Sequence, residues 1–593
     1  MTGAARDGVT GTETSGGTGA GPDSAAPRTP SAVDAVAESF VSGLLDFSPA
    51  LHVRMGVPGK ERELDDFSPA AIDARDELLA RTLADLDTAE DAARADGTLD
   101  AVDLVTLDAM RDNLGIEREI HAAGYDLGVL NVIHSPFQEI RDLFDLVPTA
   151  STEDWENNAA RLDGVGGALA GHRESLLAAR GAGRVPALRQ VTRVAQQARR
   201  AAETGGHFDR FVAKAEGTVA STSLASVLAS GAAAARQACA DFADFLESEL
   251  APHARTEDAV GREEYVLHSR KFLGDAVDLE ETYAWGLERL AAIDAEQREI
   301  AHRLYPGEFS DEDAVWGAMR RLDEDPSRTL HGLAGLRSWM QETADSAITA
   351  LHGTHFDIPE PVRTIEAMVL PNGTGGIYYT GPSGDFSRPG RMWWSVPAGV
   401  EQFTTWQERT TVNHEGVPGH HLQIGFATFF RAELNSWRRT FAGTAGNKEG
   451  WALYAEKLMA ELGFMDEPGD RMGMLDSQRL RAARVCLDIG VHLGLEAPTS
   501  LGGGTWNADK AWQFLTDNVA MDRNFLAFEL DRYLGWPGQA PSYAIGQRLW
   551  ENIRAGQEAA ARDAGQEFSL KDFHMRALRL GPTGLGTLRR AFG

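Results

Sequence analysis

The chain is 593 residues long, with 43% hydrophobic and 24% charged residues. This composition excludes an intrinsically disordered chain and leaves room for several domains or one large body. The 88 acidic residues outnumber the 57 basic residues and give a formal net charge of −31 at pH 7. Because a negative field of this size repels phosphate backbones and anionic lipid surfaces, we expect neither nucleic acid nor a membrane as a partner.

Cysteine content and hydropathy together favour a cytoplasmic protein. The two cysteines, Cys239 and Cys486, lie far apart and are too few for a secreted disulfide scaffold. The amino terminus lacks the apolar segment of a signal peptide, and no run of about 18 apolar residues is present to span a bilayer.

The first 30 residues differ in composition from the rest of the chain. Residues 1–30 are rich in Gly, Ser, Thr, Ala and Pro, which predicts a disordered tail. From residue 31 onward, apolar residues recur three and four positions apart, as on one face of a helix. We therefore expect 31–593 to form a single large helical body, with a helical N-terminal part at 31–277 and a second part at 278–593.

Helices are predicted in several segments of this body. The apolar spacing is clearest in five of them, at residues 35–47, 77–93, 99–122, 221–250 and 278–304. Ser151 and the Thr-Glu-Asp that follows it can cap free amides, which predicts a helix start. Helices return from about Phe403 to the end and are interrupted by the sequence GWPGQAPS at 535–542.

The character of the sequence changes near Pro359. Two β-branched and aromatic stretches, at 362–371 and 375–379, are bounded by Pro and Gly, which predicts a small antiparallel sheet near 359–400. Tyr378 and Tyr379 belong to the predicted edge strand, along which a peptide substrate could add by main-chain hydrogen bonds.

Three histidines and one glutamate occur within eight residues of the sequence HEGVPGHH, although the whole chain has only 16 histidines. They are His414, Glu415, His420 and His421. Zinc in proteins is bound by neutral imidazoles and carboxylates, and a catalytic site keeps one position open for water. We therefore predict one Zn2+ per chain at this segment.

The spacing of these histidines departs from the common zinc helix, in which the second histidine follows the first by four residues. On a regular helix, a residue six positions on lies about 240° around the axis, and one seven positions on lies about 10 Å away. Pro418 and Gly419 interrupt a regular helix, so a bulge at 417–419 could return His420 to the metal. His420 is the predicted ligand, and His421 is predicted to face the substrate or a supporting residue.

A third ligand is predicted from the helix that follows. In the sequence EGWALYAE, Glu449 and Glu456 are seven residues apart, which places them on one helix face two turns apart. Glu449 is the predicted metal ligand, and Glu456 is predicted to orient a ligand histidine.

HEGVPGHHLQ followed by EGWALYAE resembles the bacterial family catalogued as domain of unknown function 885, and the resemblance extends from about residue 35 to the end. That family is similar in fold to the gluzincin zinc peptidases, notably the Taq-type carboxypeptidases. The resemblance implies that Glu449 is the third zinc ligand. It also implies that a downstream tyrosine, here Tyr543, donates a hydrogen bond to the tetrahedral intermediate, with Tyr378 and Tyr379 as rival candidates.

Other candidate residues complete the predicted site. Glu415 is the predicted general base that takes a proton from the attacking water. One helix face carries Arg481, Arg484, Asp488 and His492, which could form either a salt-bridged surface or the wall of a cleft. In the second case the arginines would clamp a substrate carboxylate, Asp488 would support the site, and His492 would donate to the oxyanion.

The predicted fold is mainly α, a large gluzincin-like body with a small antiparallel sheet beside a deep active-site cleft. The predicted function is hydrolysis of a peptide or peptide-like amide, with a carboxypeptidase-like preference as one form. Two alternatives stay open: a hydrolase that tailors one small amide metabolite, and a non-catalytic scaffold that keeps the fold. The oligomeric state is also open, with a homodimer as one option.

Overall fold

A computed structural model of the protein describes residues 28–218, 221–371, 373 and 376–593. The predicted tail at 1–30 lies almost entirely outside these residues. The described chain is mainly helical, as the sequence predicts. Within it, no helix combines the length and the apolar character needed to cross a bilayer.

Nine helices form the N-terminal part of the described chain. They are α1 (Ala32–Phe47), α2 (Pro49–Met55), α3 (Pro69–Asp96), α4 (Ala101–Ala122), α5 (Pro136–Leu143), α6 (Thr152–Gly181), α7 (Leu188–Ala202), α8 (His207–Ala213) and α9 (Thr222–Phe245). Four more helices and five short strands follow. They are α10 (Arg262–Leu273), α11 (Leu279–Leu304), α12 (Ala314–Asp323), β1 (Thr329–His331), α13 (Gly332–Leu351), β2 (Ile365–Pro371), β3 (Ile377–Thr380), β4 (Gly390–Val396) and β5 (Gln402–Thr404).

The remaining helices run to the carboxyl end. They are α14 (Thr405–Glu415), α15 (His420–Phe429), α16 (Ser436–Thr440), α17 (Ala445–Glu461), α18 (Pro468–Leu493), α19 (Ala508–Asn518), α20 (Arg523–Gly535), α21 (Ser542–Asp563), α22 (Leu570–Leu580) and α23 (Leu585–Phe592). The break between α20 and α21 coincides with the predicted interruption at 535–542.

Local side-chain caps explain several helix starts. At α6, the Ser151 side chain accepts a hydrogen bond from the Asp154 amide, and the Asp154 carboxylate accepts one in return from the Ser151 amide. This reciprocal box satisfies amides that have no partner inside the helix. The prediction that a helix begins at Ser151 is confirmed.

The predicted all-antiparallel sheet is wrong in one of its strand pairs. The three strands lie in the order β2-β4-β3, with β2 and β4 parallel and β3 and β4 antiparallel. The chain reverses twice, once before β3 and once in the loop at 381–389, and β4 then inserts between the other two strands. A separate antiparallel pair joins β1 to β5 and leads directly into α14.

Three apolar clusters fill the interior. One lies among residues 50–250 and one among residues 265–592. The third packs α1, α3 and α4 against Trp437 and Ala442, which come from the other end of the chain. The first helices therefore pack directly on the part of the protein that carries the HEGVPGHH segment.

Candidate metal centre

The HEGVPGHH segment folds as two helices joined by a tight turn, not as one helix with a bulge. α14 ends at Glu415, α15 begins at His420, and the Val417–Pro418 peptide bond between them is cis. The Gly419 amide donates to the Asn413 carbonyl at 3.0 Å. A Cβ added at Gly419 would collide with the backbone carbonyls of this turn, so the close return of the chain requires glycine.

A tryptophan of α17 holds the turn in place. The Trp451 indole N–H donates to the carbonyls of Pro418 and Gly419, at 3.0 and 3.1 Å. Trp451 lies two residues after Glu449 and is fully buried. The helix that carries Glu449 thereby also fixes the turn that positions His420.

His414, His420 and Glu449 converge on one point. One potential ligand atom from each lies within 4.8 Å of the others. His414 Nε2 is 3.4 Å and His420 Nε2 is 3.7 Å from the same oxygen, Glu449 Oε2. The two imidazole rings are nearly perpendicular, with centroids 4.9 Å apart. All three residues are at most 6% exposed.

The second nitrogen of His414 is held by a carboxylate. His414 Nδ1 lies 2.7 Å from Glu456 Oε1, and the Thr410 hydroxyl donates to the other Glu456 oxygen at 2.5 Å. In the neutral form of the ring, an acceptor at this position keeps the proton on Nδ1 and leaves the Nε2 lone pair free on the side of Glu449. His414 Nε2 is buried, and none of the described groups forms a hydrogen bond with it.

His421 points away from this cluster. Its Nε2 lies 2.7 Å from the Val362 carbonyl, so Nε2 carries the proton and Nδ1 accepts from the Tyr379 hydroxyl at 2.9 Å. Burial lowers the pKa of His421 to about 4, so the ring is neutral. Both nitrogens have protein partners, and this orientation favours His420 over His421 as the residue that faces the cluster.

The centre holds more buried carboxylates than imidazoles. Glu415, Glu449 and Glu456 are each at most 6% exposed and surround only His414 and His420. Although burial lowers the pKa of His414, the adjacent carboxylates of Glu449 and Glu456 raise it to about 10. Burial raises the pKa of Glu415 against the attraction of both histidines. The cluster therefore stabilises positive charge.

Tyr543, at the start of α21, lies beside this cluster. It is fully buried, and its hydroxyl forms no hydrogen bond with any described group. Burial and the charge of Glu449 raise the pKa of Tyr543 to about 12. Tyr543 on α21 can lie beside Glu449 on α17 because the two helices pack backbone to backbone at Gly450 and Gly546.

The two predicted arginines both lie on α18, but their surroundings differ. Arg484 donates to Glu529 at 2.8 Å and to the Tyr533 hydroxyl at 2.6 Å, and its guanidinium carbon lies 5.2 Å from the centroid of the Tyr543 ring. Arg481 donates to the Ser477 carbonyl at 3.1 Å and interacts electrostatically with Glu449 and Glu456. Positive charge therefore borders the cluster on its α18 side.

Asp488 and His492 lie further along α18 than the residue that contacts Glu456. Ser477 is the α18 residue that reaches Glu456, at 3.4 Å. Asp488 and His492 are 11 and 15 residues further on, about 16 and 22 Å along the axis. The roles predicted for Asp488 in supporting the site and for His492 in stabilising the oxyanion stay predictions.

These two residues have other partners in the structure. Asp488 accepts from the Tyr265 hydroxyl at 2.7 Å and from the Gly538 amide at 3.0 Å. His492 Nε2 lies 3.1 Å from the Tyr533 carbonyl, and its ring stacks on Tyr265. Both fix the segment that leads to α21.

The two tyrosines of the edge strand point to opposite faces of the sheet. Tyr379 is buried against His421, whereas Tyr378 is half-buried and stacks on Trp393 with centroids 6.0 Å apart. β3 is the edge strand of its sheet, as predicted. The predicted contacts of these tyrosines with substrate stay predictions.

A cavity of about 290 Å³ opens between α13, α14 and the end of α17. Its lining includes Trp339, Arg409, Asn413, Met459 and Phe464. Asn413 precedes His414, so the cavity lies against α14, the helix that carries His414. His414, His420 and Glu449 do not line this cavity. The deep cleft predicted beside the site stays a prediction.

Sequence reasoning missed several residues that support the site. They are Thr410, Trp451, Glu529, Arg532, Tyr533 and Gln539. Thr410 lies four residues before His414 and could have been found from helical spacing. No local pattern links α20, which carries three of the others, to the histidine segment.

Comparisons with known proteins identify the family of the chain and proteins of similar structure. Residues 49–592 match the family described as "Bacterial protein of unknown function (DUF885)". A "putative lipoprotein" from Colwellia psychrerythraea has a similar structure, with a TM-score of 0.75 at 21% identity over 94% of this chain and 98% of that one. A "putative lipoprotein of unknown function" from Shewanella oneidensis gives 0.72 at 16% identity over 94% and 99%. No curated protein matches the chain.

Proposed function

Since the chain belongs to the DUF885 family of bacterial proteins of unknown function, we propose from its own site that it is a zinc-dependent hydrolase of peptide or peptide-like amide bonds. The observation that carries this proposal is the convergence of His414, His420 and Glu449, with ligand atoms within 4.8 Å of one another. Two imidazoles and one carboxylate are a donor set that catalytic zinc uses, with a further position left for water.

Three features of the surroundings support a metal at this point. The contact of His414 Nδ1 with Glu456 is the carboxylate support that zinc-binding histidines commonly have. Three buried carboxylates facing two imidazoles also leave an excess of negative charge, which a divalent cation would offset. The buried His414 Nε2 has no hydrogen-bond partner among the described groups, and it could coordinate the metal.

The residues around the ligands supply the remaining chemistry. A bound zinc would act as a Lewis acid and lower the pKa of a water molecule toward neutrality. Glu415, buried and next to His414, would take the proton from the attacking water and pass it to the leaving amine. The Tyr543 hydroxyl would donate a hydrogen bond to the negative charge that develops on the carbonyl oxygen.

The positive charge on α18 bears on the choice of substrate. Arg481 and Arg484 are buried on the side of the cluster where Tyr543 lies. A substrate with a free carboxylate near the scissile amide would be attracted to this side. We therefore propose a carboxypeptidase-like preference as the specific form of the activity.

The test is hydrolysis of a peptide panel with free and amidated carboxyl ends by zinc-loaded protein. Glu415→Gln is the blank, and we expect it to keep zinc while activity falls about 10²- to 10⁴-fold. Glu551→Gln is the matched control, because Glu551 is half-buried, pairs with Lys457 and is not part of the proposed site. Equal rates in wild type and Glu415→Gln would overturn the hydrolytic role, and equal rates on both kinds of peptide would overturn the carboxypeptidase-like preference.

A further inference from the structure

Glu529 is the centre of a buried hydrogen-bond network beside the proposed site. Its carboxylate accepts from Arg484 Nη2 at 2.8 Å, from Arg532 Nη1 at 3.0 Å and from the Tyr533 hydroxyl. Although burial opposes ionisation, the two guanidiniums lower the pKa of Glu529 to about 2. One ionised carboxylate therefore holds two buried arginines together.

One arm of this network reaches the ring of Tyr543. Arg484 is clamped by Glu529 on one side and by the Tyr533 hydroxyl on the other. In this position its guanidinium carbon lies 5.2 Å from the Tyr543 ring centroid, within the range of a cation–π interaction. The face of the Tyr543 ring thus packs against a side chain whose orientation Glu529 sets.

A second arm reaches Ser542, the residue that precedes Tyr543 in the chain. Arg532 Nη2 donates to the Gln539 side-chain oxygen at 2.6 Å. The main-chain carbonyl of Gln539 accepts a hydrogen bond from the Ser542 hydroxyl at 2.6 Å. Ser542 is the first residue of α21. Glu529 therefore supports Tyr543 from both the ring side and the chain side.

The Tyr543 hydroxyl itself is not anchored by any described group, although the residue is fully buried beside Glu449. Its position depends on the ring and on the start of α21, which are the parts that the two arms hold. We propose that Glu529 is a positioning residue, which fixes the Tyr543 hydroxyl at the metal-ligand cluster. The assignment rests on the hydrolase function proposed above.

Replacing Glu529 by glutamine keeps the size of the side chain and removes its charge. Arg484 and Arg532 would then repel each other, and Arg484 would lose the partner that orients it against Tyr543. A small displacement of a group that acts in the transition state lowers the rate more than it lowers substrate affinity.

The first experiment measures kcat and KM for Glu529→Gln, Tyr543→Phe and the double variant, with zinc content as a check. We expect Glu529→Gln to lower kcat about 10- to 100-fold with KM within about 2-fold and zinc retained. In the Tyr543→Phe background, the same change should lower kcat by less than about 2-fold, because the two residues act as a unit. A wild-type kcat in Glu529→Gln, or full additivity in the double variant, would overturn the proposal.

Two further measurements keep the proposal testable if a variant folds poorly or if no activity is detected. Tyr533→Phe removes one hydroxyl of the network and leaves all its charges. The chain has nine tyrosines, so fluorotyrosine labelling gives a small set of ¹⁹F signals in which Tyr543 is identified by its loss in Tyr543→Phe. We expect this signal to move in Glu529→Gln and Tyr533→Phe and to stay in place in Glu551→Gln.

An unmoved Tyr543 signal in both network variants would contradict the positioning role whether or not a substrate is known. Failure of the hydrolase proposal has a different signature, namely zinc-loaded wild-type protein that cleaves no amide. The two results are therefore distinguishable.

Discussion

The two adjacent histidines, His420 and His421, have the same chemistry but different partners. His421 has both nitrogens bound by protein groups, whereas His420 turns Nε2 toward Glu449. The sequence could identify both as candidates and favour His420. It could not show why His421 points away from the cluster. The partners of His421, Tyr379 and Val362, lie about 40 and 60 residues away in the chain, and no local pattern predicts these contacts.

Glu456 offers a test of the support that His414 receives. Glu456→Gln keeps a hydrogen-bond acceptor near Nδ1 but removes the charge, which weakens the histidine as a donor to a metal. We expect zinc affinity to fall about 10- to 100-fold, measured by competition with a chelator of known affinity. Ser477→Ala is the control, because its hydroxyl lies a long 3.4 Å from Glu456; equal losses in the two variants would count against a specific role for Glu456.

At the scale of elements, the helices follow from local sequence and the sheet does not. The apolar spacing and the capping residues, such as Ser151, act within a few positions and can be read directly. The order of β2, β4 and β3 depends on pairing between residues about 25 apart, such as Glu366 and Arg391, which a local pattern does not encode. Pro418 predicts an interruption of the helix. The hydrogen bond from Trp451 that holds the resulting turn is a tertiary contact, which the local sequence does not predict.

The contact between α17 and α21 gives a prediction at this scale. A Cβ at Gly450 would collide with the backbone of Gly546, so Gly450→Ala must push the helices apart and move Glu449. We expect a loss of about 1–3 kcal/mol in the free energy of unfolding together with weaker zinc binding. Thermal melting and metal titration measure the two effects.

The matched control lies on α21, the helix that packs against Gly450. A Cβ at Gly556 of α21 meets no atom within 4 Å, so Gly556→Ala should stabilise the protein by about 0.5–1 kcal/mol. If Gly450→Ala behaved like Gly556→Ala, the close packing of α17 on α21 would be incorrect.

At the scale of the whole molecule, the first helices are part of the body that carries the site. Trp437 is 1% exposed and packs into the cluster formed by α1, α3 and α4, and the Asn435 side chain donates to Asp34 at 2.9 Å. These contacts join residues about 400 positions apart. The sequence predicted a single body from composition but gave no indication of which segments meet.

The Trp437 contact predicts a long-range effect. Trp437→Ala should cost about 3–5 kcal/mol of stability and increase hydrogen exchange in α1 and α4, since their apolar faces lose their cover. Leu104→Ala on α4 is the control, because Leu104 is 48% exposed and should change stability by no more than about 0.5 kcal/mol. Unchanged exchange in α1 and α4 of Trp437→Ala would show that these helices do not depend on the contact.

The most direct test of the metal centre is the zinc content of purified, zinc-reconstituted protein beside His420→Ala, His421→Ala and Glu449→Ala. The geometry predicts about one zinc per chain in wild type and in His421→Ala, and its loss in the other two variants. Zinc that disappears only in His421→Ala would mean that the wrong histidine faces the metal. Wild-type protein that binds no zinc after reconstitution would contradict the proposed metal centre and the hydrolase function built on it.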